Sequence, residues 1–105
     1  MSGIVEQSQQ AVARIEKAIL EHPSVGLCCV IGVKDNQRVH YPKAVIVLNN
    51  EYKKSEKLTN EILAICKEKL PDYMIPEIIE YRDDLPRTSR GKVDYRTLEQ
   101  EVNGN

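Results

Sequence analysis

The chain has 105 residues, with 15 Lys and Arg, 16 Asp and Glu, and a formal net charge of −1. A chain of this length folds as one domain, and its 41% hydrophobic and 30% charged residues are typical of a globular protein. The near-neutral charge excludes a global attraction to nucleic acid or to an anionic membrane. No apolar run approaches the roughly 20 residues that span a bilayer, and the first ten residues do not resemble a signal peptide.

The first predicted element is a helix. Val12, Ile15 and Ile19 fall on one helical stripe, so we predict a helix from about Ser8 to Glu21. Pro23 ends it, because proline disfavours helical geometry at the residue before it.

Two strands are predicted next. The segment VGLCCVIGV, Val25 to Val33, is almost continuously apolar and rich in β-branched residues, which is typical of a strand covered on both faces. A polar turn at Lys34–Arg38 separates it from KAVIVLN, Lys43 to Asn49, which predicts a second strand. Pro42 stands at the start of that strand, where a missing amide donor is tolerated.

A second helix and a third strand follow. SEKLTNEILAICKEKL has helical spacing and ends at Pro71; its apolar positions are Leu58, Ile62, Ile65, Cys66 and Leu70. After Pro76, EIIEYRD predicts a short third strand. We then expect a loop, LPRTSRGKVD, and a terminal helix, DYRTLEQEV, with Asp94 capping its first amides and Leu98 and Val102 on one side. The order α-β-β-α-β-loop-α indicates an α+β domain with a small, mostly three-stranded sheet and helices packed on it.

The chain contains three cysteines, Cys28, Cys29 and Cys66. Adjacent cysteines in a strand point to opposite faces and are poorly placed to pair, and no Cys/His spacing indicates a zinc site. We interpret all three as buried, reduced thiols. That interpretation favours a reducing compartment, and we expect a cytoplasmic protein.

The two histidines do not suggest a catalytic centre. His22 lies beside a proline that ends a helix and His40 lies in a turn region, so a solvated or capping role is expected for each. The sequence has no HExxH motif, no EF-hand loop and no GxGxxG motif. No metal ligand is therefore predicted.

The loop LPRTSRGKVD is the segment most capable of chemistry. It fails as a phosphate-binding P-loop, because Pro86 replaces the first glycine and Val93 replaces the hydroxyl that would reach Mg²⁺. Gly91 permits a positive φ or the close approach of another surface, and Lys92 then projects from a loop made cationic by Arg87 and Arg90. From the residues alone, a phosphate contact, a rim salt bridge and a solvated loop all stay open.

A family resemblance narrows these alternatives. LPRTSRGKVDYRTLE resembles the C-terminal signature of the adenylate-forming enzymes: acyl-CoA synthetases, adenylation domains of non-ribosomal peptide synthetases, and luciferase-like enzymes. ARIEKAILEHPSVGLCCVIGV and KDNQRVHYPKAVIVL are similar to the family's helix and strands, and LPDYMIPEIIEYRDDLPRTSRGK to the segment that leads into the signature. The likeness runs from about Ala11 to Glu101.

The resemblance implies a part of a larger enzyme, a lid domain of AMP-forming ligases over residues 1–105. The chain would be truncated before its first helix, without the hinge and the hairpin of the thioester-forming face. Its partner would be its own large N-terminal domain, which binds ATP, Mg²⁺ and the carboxylate substrate. By resemblance, Lys92 is the catalytic lysine of adenylation by ATP, and Gly91 and Arg87 lie with it at the nucleotide. CoA or a carrier-protein phosphopantetheine would accept the acyl group, and the chain alone is expected to be inactive and to hold no cofactor.

Other functions are kept as alternatives. The favoured function is the lid of an acyl- or aryl-CoA ligase; a lid of an amino-acid adenylation domain and a free module acting in trans are the alternatives. Pro86, Gly91 and Lys92 also resemble the motif in which this lysine is acetylated, so an acetyltransferase is an expected partner. A nucleic-acid interface built on Arg87, Arg90, Lys92 and Arg96 is disfavoured, because no aromatic platform accompanies the short basic cluster. The acyl substrate, the thiol acceptor and the oligomeric state are not specified by this sequence.

Overall fold

The computed structural model describes residues 2–33 and 41–103, with side chains for residues 10–33 and 41–102. The described elements confirm the predicted α+β fold and the predicted order. They are α1 (Ser2–Leu20), β1 (Val25–Val33), β2 (Tyr41–Leu48), α2 (Glu56–Lys69), a short 3-10 helix (Asp72–Met74), β3 (Ile78–Tyr81) and α3 (Tyr95–Asn103). The predicted turn at Lys34–Arg38 and His40 lie outside the described residues.

The three described strands form one mixed sheet in the order β1-β2-β3. β1 pairs antiparallel with β2, and β2 pairs parallel with β3. A parallel pair needs a long crossover connection, and α2 provides it between β2 and β3. β1 and β3 are therefore the edge strands of this sheet.

The ends of the helices differ in how well the sequence predicted them. α1 begins at Ser2, six residues before the predicted start, and no proline in that stretch stops it. It ends at Leu20, where the N–H groups of Glu21 and His22 bond the carbonyls of Ala18 and Ile19 and tighten the last turn. α2 begins after Ser55, whose hydroxyl accepts the Leu58 N–H at 3.1 Å.

The larger hydrophobic core lies between the sheet and helices α1 and α2. Ile19 from α1, Ile46 from β2 and Ile62 and Cys66 from α2 are all fully buried in it. Val12 and Ile65, which were predicted on the same helical stripes, are half-buried against this core. The helical spacing in the sequence thus identified the faces that pack on the sheet.

A smaller core covers the opposite face of the sheet. Cys29 and Ile31 from β1 and Val45 from β2 meet Leu98 from α3, and Leu85 from the loop after β3 completes the cluster. Because Cys28 and Val30 lie in the larger core while Cys29 and Ile31 lie here, β1 is covered on both faces, as its apolar run predicted.

All three cysteines are buried free thiols, as predicted. Burial raises the pKa of each thiol, to about 12 for Cys29, and the nearby Glu16 carboxylate raises the pKa of Cys28 and Cys29 further. A thiolate is the reactive form of cysteine, so these side chains are unreactive packing groups. Within the described residues, no helix is both long enough and apolar enough to cross a membrane.

Candidate functional site

The candidate site is the loop that leaves β3 at Arg82 and enters α3 after Asp94. Two apolar side chains attach it to the smaller core: Leu85 is 3% exposed, and Val93 is half-buried against the same cluster. These two residues lie at the outgoing and returning legs of the loop. The residues between them, 87–92, are exposed and project from the sheet.

The residues between these anchors form a small hairpin, which we call the Lys92 hairpin (residues 87–93). Arg87 and Val93 form an antiparallel bridge. The Thr88 N–H donates to the carbonyl of Lys92 at 2.7 Å, and the Gly91 N–H donates to the carbonyl of Thr88 at 2.9 Å. A three-residue loop closed in this way, with a glycine at positive φ in its third position, is a common hairpin geometry.

Gly91 has a φ of +84°, the one positive φ among the described residues. A Cβ added at Gly91 would meet no atom within 4 Å, so space around the residue does not require glycine. The conformation does require it, because a side chain at this φ clashes with its own backbone. Of the two roles that the sequence allowed for Gly91, the structure shows the positive φ.

Lys92 follows this turn and is exposed. Its neighbour Val93 points into the smaller core, and alternation along the strand turns Lys92 to the opposite, outer side. Within the described part of the chain, the Lys92 ammonium has neither an ion pair nor a hydrogen bond. The structure therefore presents an exposed ammonium group on the residue directly after the turn.

The arginines near Lys92 differ from it. The Arg87 guanidinium donates to the carbonyl of Gly91 at 3.2 Å and lies 3.7 Å from the carboxylate of Asp84. The Arg87 side chain therefore stabilises the turn by bonding its backbone. Arg90 is exposed, and its N–H donates to the hydroxyl of Thr88 at 3.3 Å. The three predicted site residues, Arg87, Gly91 and Lys92, are thus together in one hairpin.

Asp94 joins the hairpin to α3. Its N–H donates to the carbonyl of Pro86 at 2.8 Å, and its carboxylate accepts the Thr97 N–H at 3.1 Å and the Thr97 hydroxyl at 2.8 Å. The bonds from the Thr97 N–H and then from its hydroxyl hold the pKa of Asp94 below its usual range. The predicted capping role of Asp94 is confirmed.

A contact that the sequence did not reveal ties the start of α3 to the rest of the fold. The Tyr95 hydroxyl donates to Oε2 of Glu16 on α1 at 2.6 Å, and the same oxygen accepts the Val30 N–H at 2.9 Å. Burial, and then the bond to Glu16, raise the pKa of Tyr95. Glu16 also satisfies an amide on the outer side of edge strand β1, which blunts that edge.

A charged network spans the sheet beside α3. Glu80 on β3 binds Lys43 of β2 at 2.6 Å and Arg82, and Arg82 reaches Glu101 of α3 at 2.9 Å. The hydrogen bond from Lys43, followed by that from Arg82, lowers the pKa of Glu80. This network connects β2, β3 and α3 where the loop begins at Arg82, whereas the Lys92 hairpin lies near the other end of the loop.

His22 is buried at 8% exposure, so its predicted solvated role is wrong, and its side chain bonds Ser24 and Glu61 and not the last carbonyls of α1. Its Nδ1 accepts the Ser24 N–H at 3.1 Å and lies 2.8 Å from the Ser24 hydroxyl, while Nε2 lies 2.9 Å from Glu61. An Nδ1 that accepts an amide leaves the ring proton on Nε2. His22 thus links the ends of α1 and β1 to α2.

A shallow groove of about 300 Å³ lies where α2 begins and β3 ends. Thr59 and Tyr81 line it and share a hydrogen bond of 2.6 Å. None of the residues predicted for the site lines this groove. Lys92 therefore does not share this concave surface.

Comparison with known proteins identifies the domain. Residues 14–92 match the family model described as the AMP-binding enzyme C-terminal domain. The chain belongs to this family. The match covers most of the described domain and ends at Lys92, so all of the Lys92 hairpin except Val93 lies within the region that the family shares.

Named relatives of this C-terminal domain are CoA ligases. It is 44% identical over 79 residues to the 4-hydroxybutyrate–CoA ligase 1 of Metallosphaera sedula, covering 75% of this chain and 14% of that protein. It is 37% identical over 84 residues to the acetyl-coenzyme A synthetase of Bacillus subtilis, covering 80% of this chain and 15% of that protein. The domain thus spans about one seventh of the length of these relatives.

Solved structures agree with the fold. A crystal structure of the anthranilate CoA ligase AuaEII with anthranoyl-AMP matches with a TM-score of 0.80 at 37% identity, over 85% of this chain and 17% of that one. The Brucella canis acyl-CoA synthetase matches with a TM-score of 0.80 at 30% identity, over 87% and 17%. The α+β fold is therefore that of the C-terminal domains of adenylate-forming enzymes.

Proposed function

We propose that this C-terminal domain is the lid of an AMP-forming acyl- or aryl-CoA ligase and that Lys92 acts in its adenylation step. The observation that carries the proposal is the outward-facing Lys92 ammonium on a hairpin fixed by Gly91. The family membership and the CoA-ligase names of the relatives support it.

In this reaction the carboxylate of the acid attacks the α-phosphorus of ATP, an acyl–AMP bond forms, and pyrophosphate leaves. Both reactants are anionic, so positioning and charge neutralisation matter more than covalent assistance. The Lys92 ammonium would contact the carboxylate oxygen and the nucleotide and offset the charge that gathers between them. CoA would then displace AMP to give the thioester.

The remaining parts of the site would come from a larger partner domain. The described residues contain no group of three or more His, Cys, Asp or Glu side chains placed to hold a metal ion, and we propose that the large domain holds Mg²⁺ with ATP. Arg87 and Gly91 would lie at the nucleotide beside Lys92. Because one exposed lysine offers little binding energy against the entropic cost of association, we expect this chain alone to bind ATP no more tightly than millimolar.

The test replaces the matching C-terminal domain of the Metallosphaera sedula ligase with this chain, giving a hybrid that we call the grafted ligase. Lys92→Ala should lower pyrophosphate release in the adenylation step by about a hundred- to a thousandfold, by analogy with the removal of one oxyanion donor. Thioester formation from supplied acyl-adenylate should be spared. Lys67→Ala, which removes an exposed lysine on α2, is the matched control.

Two results contradict the proposal: unchanged adenylation in Lys92→Ala, and an equal loss in both half-reactions. The first would remove Lys92 from the chemistry. The second would indicate that the substitution disturbs the whole domain and not the adenylation step.

We also propose that acetylation of Lys92 regulates the adenylation step. The deprotonated Lys92 amine would attack the carbonyl of an acetyl thioester, the thiol would leave, and a neutral amide would replace the ammonium. The exposed hairpin offers this amine to an acetyltransferase. The grafted ligase carrying acetyl-lysine at position 92 should lose adenylation as Lys92→Ala does. Full adenylation by the acetylated protein would refute this form of regulation.

A further inference from the structure

The contact between Tyr95 and Glu16 lies outside the Lys92 hairpin but next to its base. Tyr95 is the first residue of α3, and its hydroxyl is fixed on an oxygen of Glu16 that also accepts the Val30 N–H. Val30 belongs to β1, which is paired along its length with β2. The tyrosine is therefore bonded to a carboxylate that the sheet itself holds in place.

The Lys92 hairpin and the first turn of α3 form one continuous unit. The bonds from Asp94 to Pro86 and to Thr97 join the two. Lys92 lies three residues before Tyr95, which places their Cα atoms at most about 11 Å apart. Over this distance, a rotation of the hairpin by about 10° about Tyr95 displaces Lys92 by about 2 Å.

Other attachments of this unit are mainly apolar. Leu98 and Val102 pack α3 on the smaller core, and Leu85 anchors the outgoing leg of the loop. Apolar packing is not directional, so it leaves the tilt of α3 less defined than a short hydrogen bond to a held carboxylate does. Of the directional bonds that join α3 to other elements here, the one from the Tyr95 hydroxyl lies closer in sequence to Lys92 than the Arg82–Glu101 ion pair does.

We infer that Tyr95 is a positioning residue for Lys92, because its bond to Glu16 fixes the orientation of the Lys92 hairpin relative to α1 and β1. This inference rests on the proposed function of Lys92. A misplacement of about 1 Å can cost on the order of a hundredfold in rate. Since Leu85 and Leu98 still hold the loop, we expect loss of the hydroxyl alone to cost about tenfold.

The first measurement uses this chain by itself. Residual dipolar couplings of the backbone amides report the orientation of residues 87–94 relative to α2. In Tyr95→Phe these couplings should shift or shrink while those of α2 stay unchanged. Tyr73→Phe removes a hydroxyl from a tyrosine that is 79% exposed, and it should change neither set.

Variants of Glu16 distinguish loss of the Tyr95–Glu16 hydrogen bond from general destabilisation of the domain. Glu16→Ala should alter the same hairpin couplings and also speed hydrogen exchange of the Val30 amide, which Tyr95→Phe should leave protected. Glu16→Gln keeps an oxygen that can accept both bonds and should restore most of the hairpin orientation. Hairpin couplings that stay unchanged in Tyr95→Phe would overturn the inference without touching the proposed function.

The second measurement uses the grafted ligase. Tyr95→Phe should lower kcat for adenylation about tenfold with an unchanged KM for ATP, and it should have no further effect once Lys92 is alanine. A merely destabilising substitution would lower the rate in both backgrounds, which would overturn the inference. If Lys92→Ala itself leaves adenylation intact, the proposed function fails and the inference fails with it.

Discussion

The two faces of the sheet are built for different tasks. Among the residues whose side chains the structure describes, thirteen buried ones form the core between the sheet and helices α1 and α2. The core under α3 has five within the same part of the chain, and one of them, Leu85, belongs to the loop that leads to Lys92. The first core accounts for most of the buried apolar surface and hence for most of the stability, whereas the second holds the Lys92 hairpin in place.

Directional bonds supplement the apolar packing on both faces, but they join different elements. On the larger face they link α1 to α2 through His22 and Glu61, and α2 to β3 through Thr59 and Tyr81. On the smaller face they link α3 to α1 through Tyr95 and Glu16, and α3 to the end of β3 through Glu101 and Arg82. We interpret the second set as the means by which a small core fixes an exposed lysine in one orientation.

The largest expected effect on stability lies in the larger core. Ile62 is fully buried, and Ile62→Ala should lower the free energy of unfolding by about 2–5 kcal/mol because it leaves a cavity. Leu20→Ala, at a leucine of α1 that is 47% exposed, should change it by less than about 0.5 kcal/mol. Urea unfolding followed by circular dichroism measures both free energies. Equal decreases in the two variants would mean that Ile62 contributes no more to stability than an exposed leucine does.

A smaller and more local effect is expected in the Lys92 hairpin. Gly91→Ala forces a side chain into a φ of +84°, which costs roughly 1–2 kcal/mol. Gly91→Asn should cost less, because asparagine tolerates positive φ better than alanine does. Faster hydrogen exchange at Thr88 and residue 91 in the alanine variant, with α2 unchanged, measures the effect. Equal exchange in both variants would show that φ does not limit this turn.

The sequence predicted the elements of both faces and the residues of the hairpin, but not the bonds that orient the hairpin. Helical and strand periodicity is local, so Ile62 and Leu98 were identified as core residues from spacing alone. Glu16 and Tyr95 are 79 positions apart, and no local pattern indicates that they meet.

The buried position of His22 was missed for the same reason, because its partner Glu61 lies on another helix. The loop signature indicated Arg87 as a nucleotide contact without revealing that Gly91 and Asp84 already engage its guanidinium.

The smallest expected effect concerns the cap that joins the hairpin to α3. Asp94 has a pKa lowered by its bonds from Thr97, so its ionised form is favoured in the folded state. A group whose pKa is lower when folded adds stability above its unfolded value, here 3.8. That contribution is lost as the pH falls through the folded value. Below about pH 4 the unfolding free energy should therefore lose the part that this residue contributes.

Asp94→Asn isolates that component, because asparagine still caps the helix but does not ionise in this range. The difference in unfolding free energy between the parent chain and Asp94→Asn should be constant above pH 5 and should shrink as the pH falls below 4. Because other carboxylates titrate equally in both proteins, the difference removes their effect. A difference that stays constant down to pH 2 would mean that the charge on Asp94 adds nothing to the cap. The hydrogen bonds from Thr97 would then stabilise the start of α3 equally well with a neutral side chain at position 94.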